Sequence, residues 1–228
     1  MLPPCRRRRS KGDGLVKAVL ILNVLLVSVL FFPPLPSGAG SSPLPLKEPS
    51  DPMDRRAEEV KDFREKRDRF FREDPRSPLK DDDLKSFKGL SYFPIDLKYV
   101  MVGTIERTPA GTDPLHVNLR TNKGTEKRYV KFGRFKFKIG RKEYVLQVYR
   151  VLGGDELFLP FRDKTAGRET YSRGRYLFIE PLSQEKVLID FNRAHNPFCA
   201  YNEEYTCPDP PQENWLDTEI RAGEIRFR

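Results

Sequence analysis

The chain has 228 residues, enough for one domain with targeting and linker segments beside it. Its 42 Lys and Arg stand against 33 Asp and Glu, a net charge of +9. The first 40 residues hold six basic side chains against Asp13, which leaves +4 for the other 188 and removes bulk charge as an argument for a nucleic-acid binder.

Arg6 to Arg9, Lys11 and Lys17 precede Ala18 to Phe32, fifteen residues without a charge, followed by Pro33, Pro34 and the small residues Ser37-Gly38-Ala39-Gly40. That layout is an export signal or an uncleaved signal anchor over residues 1–39. The charge-free run spans about 22 Å at 1.5 Å per residue, short of a hydrocarbon core, and Lys17 could snorkel to lengthen it. Either reading puts the body outside the cytoplasm, periplasmic or extracytoplasmic, free or tethered by an N-terminal transmembrane helix. Residues 40–52 form a Pro/Ser-rich linker, and 53–228 a single β-rich domain.

Asp54 to Asp74 is charged, with Ala57, Val60, Phe63, Phe70 and Phe71 as its apolar residues, which predicts one amphipathic helix ended by Pro75 and Pro78. Its charges are read as a solvated face. From Tyr99 the pattern turns to strands over 100–105, 115–120, 129–139, 143–151, 156–161, 175–180 and 186–191, with a hairpin turn at Gly140-Arg141-Lys142. The predicted fold is all-β, an antiparallel curled sheet, barrel- or sandwich-like, with that one N-terminal helix.

Arg120 to Glu143 carries ten basic residues and two Glu. Alternation places Phe135, Phe137 and Ile139 on one face and Arg134, Lys136 and Lys138 on the other. The outer face is either a solvated sheet surface or a contact for an anionic membrane or envelope polymer.

The run Asp190 to Asn214 packs two cysteines, four prolines and a histidine into one turn-rich segment, the kind of rigid surface feature where binding groups concentrate. Upstream, Asp163, Thr165, Gly167, Glu169, Thr170 and Tyr171 form a D-x-T-x-G-x-E-T-Y connection before Arg175. Candidate ligand-binding residues are Asp163, Glu169, Tyr171, Arg175, Asp190, Asn192, Arg193, Asn196 and Asn214. Should the strand ends converge, their carboxylates and guanidiniums would share one rim. The competing reading of the same groups is architectural, with side chains tied to nearby backbone. Tyr92, Phe93, Tyr176, Tyr201 and Trp215 are read as core rather than as a sugar-stacking platform.

Cys5 lies before the apolar run, which leaves Cys199 and Cys207 as the exported thiols, expected as a disulfide. A metal site from His195, Cys199, Cys207 and Asp190 lacks the paired short C-x-x-C spacing of persuasive zinc sites, so no metal is assigned. No glycine-rich phosphate loop, H-E-x-x-H, G-x-S-x-G or dinucleotide fingerprint occurs, and no cofactor is assigned.

FKGLSYFPID (Phe87 to Asp96), FLPFRDKTAGRETYSRGRYL (Phe158 to Leu177), DFNRAHNPFCAYN (Asp190 to Asn202), CPDPPQEN (Cys207 to Asn214) and RAGE (Arg221 to Glu224) closely resemble the prokaryotic domain-of-unknown-function family 1684. The resemblance runs from about Asp54 to Glu224. It implies export or membrane tethering, as in many members, and supplies no established substrate, cofactor or catalytic residue. Here the chain departs from longer members, which place an extra β-rich segment before the FKGL motif, and has His195 where the family leads one to expect tyrosine.

The function that follows is noncatalytic binding of a small polar or anionic envelope ligand. The alternatives are an envelope hydrolase using paired carboxylates, and a structural or assembly protein docking through the basic hairpin.

Overall fold

The computed structural model describes residues 52–228 apart from 110, 112–114 and 183–185. The export segment expected over 1–39 and the linker up to residue 51 lie outside the described residues. Among the described residues no helix is long and apolar enough to cross a membrane.

Helix α1 (Pro52–Glu73) falls within two residues of its predicted bounds. It buries Val60, Arg67 and Phe71, a stripe spaced seven and four residues apart. Burying Val60 and Phe71 contributes roughly 1.5–3 kcal/mol each. Arg67 was expected on the solvated face; it is instead 2% exposed. A short second helix, α2 (Asp81–Ser86), was not anticipated; three aspartates in its first turn complement the partial positive charge of its N-terminus.

Seven strands follow: β1 (Val100–Arg107), β2 (His116–Arg120), β3 (Glu126–Ile139), β4 (Lys142–Val151), β5 (Leu157–Phe161), β6 (Arg175–Pro181) and β7 (Lys186–Asp190). They form one antiparallel sheet in the order β1-β7-β6-β5-β4-β3-β2. β1 pairs with β7 through Val100–Thr104 and then with β3 through Ile105–Arg107, so the strand that starts the run also pairs with the last but one and curls the sheet into a half-barrel. That double duty carries β1 beyond its predicted end. β3 begins three residues before its predicted start because β2 pairs with its charged first residues, Glu126 to Val130.

The crossing of β1 over β3 is close. Beside a register shift between Lys131 and Gly133, a Cβ on Gly133 would lie 2.6 Å from the Glu106 carbonyl oxygen. Only glycine admits that approach. The β3–β4 hairpin closes on Gly140-Arg141, with Gly140 at φ +60°, as a two-residue turn led by glycine requires.

Phe135 and Phe137 point into the barrel with Leu146, Val148, Leu159, Phe161 and Ile189, while Arg134, Lys136 and Lys138 face outward. Arg134 and Lys136 reach Glu106 at 3.5 and 3.2 Å. All five residues of β5 are buried, because the chain after β7 packs on both faces of the strand: Phe191, Leu216 and Ile220 join the cluster of Leu157, Leu159 and Phe161, and Cys199 and Cys207 join that of Phe158. Backbone bonds fix that covering layer. Tyr176 and His195 exchange N–H···O bonds at 2.8 and 3.0 Å, and Glu224 N–H donates to Ala194 C=O at 2.8 Å.

Candidate functional site

The predicted polar residues separate into distinct interactions rather than sharing one rim. Arg175, 0% exposed, leaves β6 and donates to the carbonyls of Ile220 (2.8 Å), Ala222 and Glu224 (3.4 Å) and to Asp163 Oδ1 (3.3 Å). Asp163 Oδ2 accepts from Ile220 N–H at 2.7 Å and from Thr165 Oγ1 at 2.8 Å, and Thr165 is bonded on to Thr170 at 2.9 Å. Arg175 and Asp163 together grip the C-terminal tail at Ile220, Ala222 and Glu224. Burial lowers the Arg175 pKa, and Asp163 opposes the shift.

Glu224, 1% exposed, is the centre of a second cluster. Its carboxylate accepts from Arg67 Nη2 (3.1 Å), Asn196 N–H (3.1 Å), Asn196 Nδ2 (3.0 Å) and Tyr201 OH. Burial pushes the Glu224 carboxyl up, whereas Glu224 and the nearby tyrosines outweigh burial at Arg67 and keep that guanidinium charged. Four donors converge on its two oxygens, an arrangement that favours the carboxylate beside the Arg67 charge. Glu224 therefore locks the tail to α1 through Arg67, and Asn196 holds Glu224 in place.

Asp190 accepts from Asn192 N–H and Nδ2, both at 2.9 Å, and from Arg56 Nε of α1 at 3.0 Å. Asn192 in turn pairs with the backbone of Asp96 through both ends of its amide, at 2.9 and 3.0 Å. The Arg193 guanidinium lies 4.8 Å over the Phe63 ring. Glu169 is exposed enough to pair with Arg221 at 3.0 Å. Asn214 does what a strand would. Its amide accepts from Gln147 N–H at 2.7 Å and donates to the carbonyls of Gln147 (2.9 Å) and Pro160 (2.7 Å), filling the β4–β5 ladder where Pro160 has no N–H.

Cys199 and Cys207 are two buried thiols, not the expected disulfide. Tyr171 OH contacts Cys199 Sγ at 3.8 Å. Among the described residues no three His, Cys, Asp or Glu side chains stand together as metal ligands. His195 instead stacks on Phe178 with centroids 5.8 Å apart, meets Tyr176 edge-on, and places Nδ1 3.4 Å from the Arg193 carbonyl. Burial pushes its pKa well below the ordinary 6.5, with the charges of Arg67 and Arg193 acting in the same sense.

A depressed histidine pKa means that below 6.5 the unfolded chain takes up a proton that the fold refuses. The stability this neutral ring contributes is present above 6.5 and is lost as pH falls, at up to about 1.4 kcal/mol per pH unit. His195→Tyr should remove this component from a series of denaturation curves between neutral pH and the carboxylate range. Parallel pH dependences for wild type and variant would contradict the assignment.

Among the described residues Trp215, the only tryptophan of the chain, is the most exposed aromatic of those named as core from sequence, at 52%. It lines a cleft of about 310 Å³ with Arg162, Ser172, Arg173, Asp209 and Pro210. The local sequence explains its position. Arg162 exchanges backbone bonds with Asn214 C=O (3.0 Å) and Leu216 N–H (2.7 Å), so the segment around Trp215 continues the end of β5 as a parallel bridge. The indole N–H is then bound to Pro210 C=O at 3.1 Å, and the Arg162 guanidinium lies 4.8 Å over the ring.

The opposite wall is Ser172-Arg173, held by Gly174 at φ +101°, where a Cβ would meet the Phe161 carbonyl oxygen at 2.5 Å and Pro210 at 2.8 Å. Arg173 grips Asp209 through Nε at 2.7 Å and through a second bond from Nη2. Arg173 and Asp209 cancel, so the cleft keeps the charge of Arg162, which has no carboxylate within ion-pair distance among the described residues. Neither Arg162 nor Arg173 belongs to the residues singled out from sequence. The signal was present in a single tryptophan four residues after Pro210-Pro211, in a chain that also carries the S-R-G-R run at Ser172–Arg175. A second hollow of about 280 Å³ at the β4–β5 turn brings no comparable set of polar groups together.

Three comparisons bear on this geometry. The family described as "Protein of unknown function (DUF1684)" matches residues 85–225. The solution NMR structure of an uncharacterized protein of Haloarcula marismortui is similar at 35% identity and a TM-score of 0.61, over 76% of this chain and 95% of that one. No curated protein matches the chain. With its motifs, its matched span and this fold together, the chain belongs to the DUF1684 family.

Proposed function

We propose that the protein binds a small anionic ligand without transforming it, in the cleft between Trp215 and Arg173, on the extracytoplasmic side of a membrane. The observation that carries this reading is the half-exposed Trp215 with the unneutralised Arg162 guanidinium stacked on it, beside a hollow of about 310 Å³. A phosphate or carboxylate would approach Arg162 and the Ser172 hydroxyl, and a sugar ring or other flat face would cover the exposed side of the indole. Hydrolysis by paired carboxylates finds less support, since Asp209 is the one carboxylate lining the cleft and Arg173 already occupies it. The placement outside the cytoplasm rests on the basic, then charge-free, then small-residue order of the first 40 residues.

Because the chain has one tryptophan, its fluorescence reports the cleft directly. Titrating the full chain in detergent with a hexose phosphate should give a saturable change, and the uncharged hexose should not. Arg162→Gln should weaken binding about tenfold or more, the loss of one charge-assisted contact. Equal responses to both sugars, or an unchanged affinity in Arg162→Gln, would reject the cleft as an anion site.

A further inference from the structure

Cys199 and Cys207 are held together by the frame around them. Cys199 sits in a single helical turn, Phe198–Ala200, and its backbone N–H donates to Cys207 Sγ at 3.4 Å. Asn122 pins Cys207 from both sides: its side-chain oxygen accepts from Cys207 N–H at 2.8 Å, and its own N–H donates to Cys207 C=O at 3.0 Å. Tyr171 OH donates to Cys199 Sγ from 3.8 Å. Both residues are nearly closed off, at 8% and 7% exposure, which excludes a folded protein as reaction partner and limits any reagent to a small molecule.

We propose that Cys199 and Cys207 are an oxidation site, converted from dithiol to intramolecular disulfide by a small hydroperoxide such as hydrogen peroxide. The two cysteines have unequal roles. The Cys207 thiol contact, Tyr171 OH and the Arg173 charge lower the Cys199 pKa against the effect of burial, while the same contact and burial raise that of Cys207. Tyr171 OH, aimed at Cys199 Sγ from 3.8 Å, favours negative charge on that sulfur, so Cys199 attacks and Cys207 resolves. The Cys199 sulfur bonds to one peroxide oxygen, the O–O bond breaks, and the released hydroxide takes a proton to leave as water. The Cys207 sulfur then attacks the Cys199 sulfenic acid, the S–S bond forms, the S–O bond breaks, and a second water leaves with the Cys207 proton. Two electrons pass from the sulfurs to the peroxide, and a thiol reductant reverses the change.

No part of this depends on the Trp215 cleft, so the two readings fail separately. Trypsin leaves both cysteines in one peptide, Ala194 to Arg221. After hydrogen peroxide treatment of the reduced full chain, that peptide should be lighter by two hydrogens, should lose both alkylatable thiols, and should regain them with dithiothreitol. Cys207→Ser should stop at a Cys199 sulfenic acid that dimedone traps, whereas Cys199→Ser should leave Cys207 alkylatable. Two alkylatable thiols in peroxide-treated wild type, or a disulfide between two chains, would overturn the proposal without recourse to either variant. Dimedone on Cys207 in Cys199→Ser would overturn the assigned roles.

Discussion

Asp163→Ala should destabilise the protein by about 3–5 kcal/mol, the usual effect of leaving a buried charge without its partner. The substitution strands the fully buried Arg175 and also removes the acceptor of Ile220 N–H and of the Thr165 hydroxyl. Against a total stability of about 5–15 kcal/mol this would be a large fraction. The midpoint of a denaturant titration measures it. Replacing both partners, Asp163→Ala with Arg175→Met, should recover much of the loss, because the cost lies in the uncompensated guanidinium rather than in a large net value of the pair. A single variant that unfolds at the wild-type midpoint would show that the tail is held by packing alone.

Glu224→Ala should have an effect of similar size, about 3–5 kcal/mol, read out at the other end of the chain. Glu224 is the acceptor for Arg67, which is 157 residues earlier on α1, and for Asn196 and Tyr201. Its loss leaves Arg67 charged and buried beneath Val60 and Phe71 of the same helix stripe. Helix α1 should therefore loosen first, with hydrogen exchange and proteolysis accelerating in Pro52–Glu73 before the strands respond. Arg67→Met in the same chain should restore protection. Uniform exchange across helix and sheet would instead mean that the cluster stabilises the whole barrel and has no special hold on α1.

These two clusters mark the boundary of what the sequence could reveal. The seven strands and α1 were legible because alternation and helical spacing are local, and a residue such as Phe135 declares its face through its neighbours Arg134 and Lys136. Arg67 was misread for the opposite reason. Within α1 it is one basic residue among many, and only the tail carboxylate of Glu224, far away in sequence, makes its burial tolerable. Asn214 shows the same limit, since its role is set by a missing N–H on Pro160 in another strand. The polar motif residues were open to two readings, a shared rim or ties to nearby structure, and their side chains turn to the tail, to Asp96 and to α1, partners that lie far away in sequence. Trp215 reversed its expected place because the segment that carries it is pinned to the end of β5, and a ring at that edge has sheet on one side only.

The most direct measurement of the proposed site is the indole N–H resonance of Trp215 in the isotopically labelled full chain during titration with a hexose phosphate. The expected result is a saturable shift of that signal, complete by roughly millimolar ligand, the range of a binding free energy near −4 kcal/mol. The amides of Ser172, Arg173 and Arg162 should move with it, and those of α1 should stay still. An indole signal that holds its position while amides elsewhere shift, or a spectrum that does not respond to the ligand at all, would contradict the assignment of the cleft.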